Sequence, residues 1–192
     1  MRTSLALALC ALALASRAAG QTPAAGEEVL VNGFDDLPDL GSARARGGAL
    51  TLEVGRAPGG TGWAVLTAAG GAATVSLTID LPAGVDAASH DALGLHVRAR
   101  PPEGGRPPRL RLRALDASGV ALFQRRASDA LRGWSERNEP LARWRWDDRI
   151  GRWSDVRAIE VEAEGAAALE VDQVRLLPGT RGPRSASPDT AW

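Results

Sequence analysis

Leu93-Gly94-Leu95-His96-Val97-Arg98-Ala99-Arg100 decides the fold class. Apolar residues at 93, 95, 97 and 99 alternate with glycine, histidine and two arginines. A period of two places alternate side chains on opposite faces of an extended chain, which predicts a strand with one buried and one wet face. The same period spreads outward on both sides. Leu50, Leu52 and Val54 alternate with Thr51 and Glu53, and Val75, Leu77 and Ile79 with Ser76 and Thr78. Leu110, Leu112 and Ala114 alternate with Arg111 and Arg113, and Ile159, Val161 and Ala163 with Glu160, Glu162 and Glu164. Less regular strands are expected at 28–32, 62–67, 119–125 and 168–176.

Turn chemistry separates these runs. Pro58-Gly59-Gly60, Ala69-Gly70-Gly71 and Asp116-Ala117-Ser118-Gly119 combine residues that tolerate tight backbone reversals. Pro101 to Pro108 reads as the link of a hairpin between two alternating runs. About nine short strands without a convincing amphipathic helix predict an all-β sandwich or barrel. One domain over 28–177 is expected, after a linker at 21–27 and before a disordered tail at 178–192 rich in Pro, Gly, Ser and Arg.

The first twenty residues read as a signal peptide. Arg2 precedes the apolar run Leu5 to Ala15, and Ala18-Ala19-Gly20 offers small residues for cleavage before Gln21. The expectation is an exported protein, periplasmic or extracellular, with no membrane span. The single cysteine, Cys10, lies within that segment, so disulfides and thiolate chemistry are excluded from the rest. Basic and acidic residues number 23 each, so no global field argues for nucleic acid. Every basic residue is arginine, and Ala and Gly are abundant, as in a GC-rich bacterial genome.

Catalytic signatures are lacking: no G-x-S-x-G, H-E-x-x-H or C-x-x-C occurs. His90 and His96 have no accompanying partner pattern and read as ordinary histidines. No carboxylate pair is singled out for glycoside hydrolysis. The chain therefore reads as a non-enzyme. The arginines of 98–113 and the glutamates at 160, 162 and 164 suggest a cross-strand ladder on a solvated face. The sharper alternative is a cationic surface for an anionic glycan.

Four of six tryptophans fall between 134 and 153: Trp134, Trp144, Trp146 and Trp153. Trp134 and Trp153, each near a strand start, read as core residues. Trp144-Arg145-Trp146-Asp147-Asp148 reads as a loop. If extended, it turns both rings the same way, and they either plug the sandwich or stack on a sugar ring. In the second case Arg145, Asp147 and Asp148 bond sugar hydroxyls. Carbohydrate recognition through this loop is the leading expectation, with an envelope protein–protein scaffold as the alternative.

Several segments, in order, resemble a known family. They are Val29-Leu30-Val31-Asn32-Gly33-Phe34-Asp35-Asp36, Asp91 to Arg98, Leu110-Arg111-Leu112 with Asp116 to Gly119, Trp134 with Leu141 and Trp144, Val156 to Ile159, and Leu169 to Leu176. Together they resemble galactose-binding-like jelly rolls, among them carbohydrate-binding modules and the complex I intermediate-associated protein family. The resemblance implies an antiparallel β-sandwich of jelly-roll type. It also implies a structural calcium between the opening acid and the acid of the last strand, here Asp35 and Asp172, with Asp36 as a further ligand. Calcium takes six to eight oxygens, so backbone carbonyls would complete the set.

Overall fold

The computed structural model describes residues 27–70, 72–127, 133–147 and 151–179. The segment read as a signal peptide, Asp148 and most of the expected tail lie outside these residues. The described residues hold twelve strands: β1 (Val29–Asn32), β2 (Ala43–Arg46), β3 (Gly48–Val54), β4 (Gly62–Ala68), β5 (Thr74–Asp80), β6 (Ala92–Arg100), β7 (Arg109–Leu115), β8 (Ala121–Ala127), β9 (Ser135–Pro140), β10 (Arg145–Trp146), β11 (Ala158–Glu164) and β12 (Ala168–Leu177). Sheet A has the order β3-β4-β12-β6-β9, with β1 also paired to β12; sheet B has the order β10-β8-β7-β11-β5-β2. The assigned strand pairs are antiparallel.

The period of two fills the space between the sheets. Leu66, Leu93, Leu95, Val97, Leu169 and Val171 of sheet A face Leu77, Ile79, Leu112, Ile159 and Val161 of sheet B, all in one buried cluster. Burying such side chains stabilises by about 1.5–3 kcal/mol each before chain entropy is counted. Phe34 also enters this core, from the loop after β1, with a left-handed φ of 53°.

Turn predictions hold where one side chain can satisfy several amides. Asp116 Oδ1 accepts from Ser118 N at 2.9 Å, Ser118 Oγ at 2.7 Å and Val120 N at 2.9 Å. Gly119 supplies the positive φ of 80° that closes this β7–β8 hairpin.

The Pro101–Pro108 link is not a hairpin. β6 belongs to sheet A and β7 to sheet B, so the link carries the chain across the sandwich. Period two cannot report this, because either arrangement buries the same alternate residues. The predicted ladder is therefore split. Arg109, Arg111 and Arg113 stand opposite Glu164, Glu162 and Glu160 on sheet B. His96, Arg98 and Arg100 lie on sheet A, where Arg98 and Arg100 both hold Glu170.

One helix of five residues, Leu37–Gly41, follows β1. Asp36 caps it, accepting from Asp39 N at 2.8 Å, with a proline in the first turn. That role accounts for Asp36 without a metal. Among the described residues, no helix is long and apolar enough to cross a membrane.

Candidate functional site

The tryptophans divide into three environments. Trp144 follows the turn Leu141–Arg143, and its ring is buried in the core. It meets Trp153 edge to face at 5.4 Å, and Trp153 stacks on Phe123 at 4.4 Å. Trp153 is thus partly buried and packs against the core that holds Trp144 and Phe123, short of the full burial expected for it. The sugar-stacking role for Trp144 is corrected: its ring faces are covered by protein.

Trp146 is 55% exposed. It stands opposite Phe123, and cross-strand partners share a face. Phe123 has strands on both sides, whereas β10 is the outermost strand of sheet B, so among the described residues no further strand covers the indole. The expected common orientation of Trp144 and Trp146 therefore does not give a common environment. Arg145 points to the outer face, opposite Gln124. Asp147 accepts from Gln124 Nε2 at 2.8 Å and lies 3.6 Å from Arg113 Nε. Of the five predicted ligand-binding residues, Arg145, Trp146 and Asp147 gather at this edge of sheet B.

The third environment is the outer face of sheet A. Trp63 on β4 and Trp134 just before β9 reach toward each other above β12 and β6 and meet edge to face at 6.2 Å. Arg98 lies 5.0 Å from the Trp134 ring centre. Glu170 is fully buried in this layer; its Oε2 accepts from Arg98 Nε at 2.7 Å, and Oε1 pairs with Arg100. The expectation of a core role for Trp134 is corrected: it packs half-buried on the outer face of sheet A, outside the sandwich core. The wet face foreseen for these strands is a second packing layer.

At the rim of sheet A, Asp172 is fully buried. Its Oδ2 accepts from Gly59 N at 3.0 Å, while Oδ1 is buried with no hydrogen-bond partner. Asp35 Oδ1 accepts from Thr61 N at 2.8 Å. Burial chiefly, and the Asp35 charge in addition, push the Asp172 carboxyl above the usual aspartate range; amides of Gly59 and Gln173 and the nearby His96 pull the other way. Gln173 is left-handed, with φ 49°. A Cβ at Gly60 would come within 2.2 Å of Asp35 Oδ1, and one at Gly59 within 1.9 Å of Gln173 Cγ. Asp35, Asp172 and the Gly59–Gly60 loop therefore form a tight cradle around an orphaned carboxylate oxygen. Among the described residues, no three acids or histidines gather as a metal group.

The outer face of sheet B carries a groove of about 290 Å³, lined among others by Arg44, Arg46, Ser76, Thr78, Arg113 and Glu160. None of its lining residues is aromatic. Arg44 is fixed by Asp80, with Nη2 to Oδ1 at 2.7 Å. Sequence reading named Arg113 and Glu160 only as ladder members. Arg44 and Arg46 were missed because the Ala-Arg-Ala-Arg of β2 has too little apolar weight to mark a strand.

No protein-family model and no curated protein matches this chain. Solved structures do. The family 11 carbohydrate-binding module of the cellulosomal cellulase Lic26A-Cel5E of Clostridium thermocellum superposes with a TM-score of 0.56 at 12% identity, over 80% of this chain and 95% of the module. The CBM22-1 xylan-binding domain of Paenibacillus barcinonensis Xyn10C gives 0.52 at 15% identity, over 82% of this chain and all of that one. The arabinose-bound MgGH51 α-L-arabinofuranosidase gives 0.58 at 16% identity, and there the match covers 81% of this chain but only 27% of the enzyme. Two antiparallel sheets, their packing and these superpositions identify the chain as a β-sandwich jelly roll with the fold of carbohydrate-binding modules.

Proposed function

We propose that this is an exported, non-catalytic carbohydrate-binding protein whose ligand lies along the outer face of sheet B. The observation that carries the reading is the groove there, walled by the hydroxyls of Ser76 and Thr78 and the charged groups of Arg44, Arg46, Arg113 and Glu160. Such donors and acceptors match sugar hydroxyls. Arg145 and Asp147 end this face at β10, while the exposed indole of Trp146 stands at the same edge on the inner side of that strand and offers a flat C–H-stacking surface to a sugar that wraps over the edge. Five strand spacings of about 4.8 Å separate β2 from β10, a span suited to an oligosaccharide. Shallow sites of this kind bind at micromolar affinity or weaker.

A glycan array probed with residues 21–192, followed by calorimetric titration of the hits, tests the reading. Trp146→Ala is expected to weaken binding at least five-fold while leaving thermal stability unchanged, because the ring is largely exposed. Absence of binding to any glycan would refute the function. Undiminished binding by the variant would remove Trp146 from the site.

The same reading includes a structural calcium at Asp35 and Asp172. The fit lies in the orphaned Oδ1 of Asp172 and in the neighbouring carboxylate. Calcium would supply the missing partner and offset the repulsion between the two acids. Calcium at one hundred times its dissociation constant should then stabilise the fold by about 2.7 kcal/mol over a chelated sample. In chelator the sign of the pH dependence follows from the raised carboxyl. The folded chain keeps the Asp172 proton to higher pH than the unfolded chain, so stability falls as pH rises from the ordinary aspartate value through the raised one, then levels off. Asp172→Asn should remove both the calcium response and this fall. A melting temperature indifferent to calcium and chelator would exclude the metal.

A further inference from the structure

We infer that the face of sheet B takes an acidic polysaccharide, one bearing carboxylate or sulfate groups; this rests on the reading of that face as the glycan site. The outward residues form two main rows across the sheet, flanked by Thr74, Glu164 and Arg109 at one end and by Asp80, paired with Arg44, at the other. Arg44, Thr78, Glu160, Arg113, Gln124 and Arg145 make one; Arg46, Ser76, Glu162, Arg111 and Arg126 make the other.

The carboxylates in the middle are consumed from below. Glu160 and Glu162 side chains are 11% and 14% exposed, and Arg113 contacts both, at 3.3 and 3.2 Å. Arg111 and Arg113 remain 28% and 25% exposed above them, and Arg109, next to Glu164, 80%. The layer that meets solvent is therefore richer in guanidinium than in carboxylate.

Three further arginines on this face are exposed and make no ion pair among the described residues: Arg46, Arg126 and Arg145. Arg126 and Arg145 are diagonal neighbours, since Arg145 faces Gln124 two positions along β8 from Arg126. Diagonal cross-strand neighbours lie roughly 7–8 Å apart. Arg46 stands at the far edge, about 19 Å away by four strand spacings from β8. Free guanidiniums at both ends, a groove without aromatic walls between them, and neutralised carboxylates in the middle suit a chain with repeated acidic groups. A guanidinium fork binds carboxylate or sulfate oxygens bidentately, which it cannot do with a neutral hydroxyl.

The test compares polygalacturonate, a sulfated galactan and a neutral mixed-linked β-glucan, each titrated at 50 and 500 mM NaCl. The expected result is at least ten-fold preference for one acidic polymer over the neutral one, lost at the higher salt. Which acidic polymer wins distinguishes carboxylate from sulfate recognition. The combined Arg46→Gln, Arg126→Gln and Arg145→Gln variant should keep its melting temperature and lose at least ten-fold in acidic-polymer affinity. Preference for the neutral glucan, or wild-type affinity in the variant, would overturn the inference and leave carbohydrate binding standing. Equal binding to polyphosphate would overturn it in favour of a general polyanion surface. Binding to no glycan would remove both readings together.

Discussion

Replacing Trp144 with alanine is expected to cost about 3–5 kcal/mol of folding stability, the range for deleting a large buried aromatic. The ring is only 8% exposed, is T-stacked on Trp153 and shares the main core cluster with Leu141, Phe123 and Val156. Its removal leaves a void at the end of the sandwich that rigid sheets cannot close. Equilibrium urea unfolding measures the loss directly, with Trp146→Ala as the comparison two residues away. That second change should stay within about 0.5 kcal/mol, as exposed substitutions do. Equal effects at the two positions would mean that the end of the sandwich is not packed as described.

Arg98→Ala should cost about 3 kcal/mol. Removing one partner of a buried ion pair leaves the other charge without compensation, which typically costs about 3–5 kcal/mol. Glu170 has no exposed surface, and Arg100 remains as its second cation, so the low end of that range applies. The contact with Trp134 is lost as well. Arg109→Ala is the control, since its partner Glu164 is half exposed and 3.9 Å away; an exposed pair contributes about 0–1 kcal/mol. Unfolding curves in which both variants cost the same would deny the buried character of the sheet A layer.

The strands with clean alternation were legible because each owns one apolar face: β3, β5, β6, β7 and β11 lie where the period of two placed them. β2, β9 and β10 were not. They sit at sheet edges, where one flank is open and little apolar surface is required. β9 reads Ser-Glu-Arg-Asn-Glu-Pro, and its inward Glu139 is satisfied by Arg125 of the opposite sheet at 3.0 Å. A cross-sheet ion pair leaves no periodic trace in either strand. The site was legible in part. Trp146, Arg145 and Asp147 share an edge, but which of two nearby tryptophans is buried depends on where the sheet ends. Arg44 and Arg46 join the groove only through the pairing of β2 with β5, a contact between residues 34 and 30 apart in sequence, Arg44 with Thr78 and Arg46 with Ser76. Asp35 and Asp172 do lie at one cradle, consistent with the resemblance that named them.

The position of β12 governs when the protein can fold. It is the last described strand in chain order, yet it pairs with β1, β4 and β6. β11, just before it, joins β5 to β7 in the other sheet. Until residues 158–177 have been synthesised, neither sheet has its middle, and the earlier strands fall into separate groups, β3–β4, β2–β5, β6–β9 and β7-β8-β10, with β1 unpaired among the described residues. Contacts of such long sequence separation are slow to form, on the order of milliseconds to seconds for sandwiches of this kind. A growing chain therefore stays open until its final stretch emerges, and a nascent chain truncated before Ala158 should remain protease-sensitive throughout.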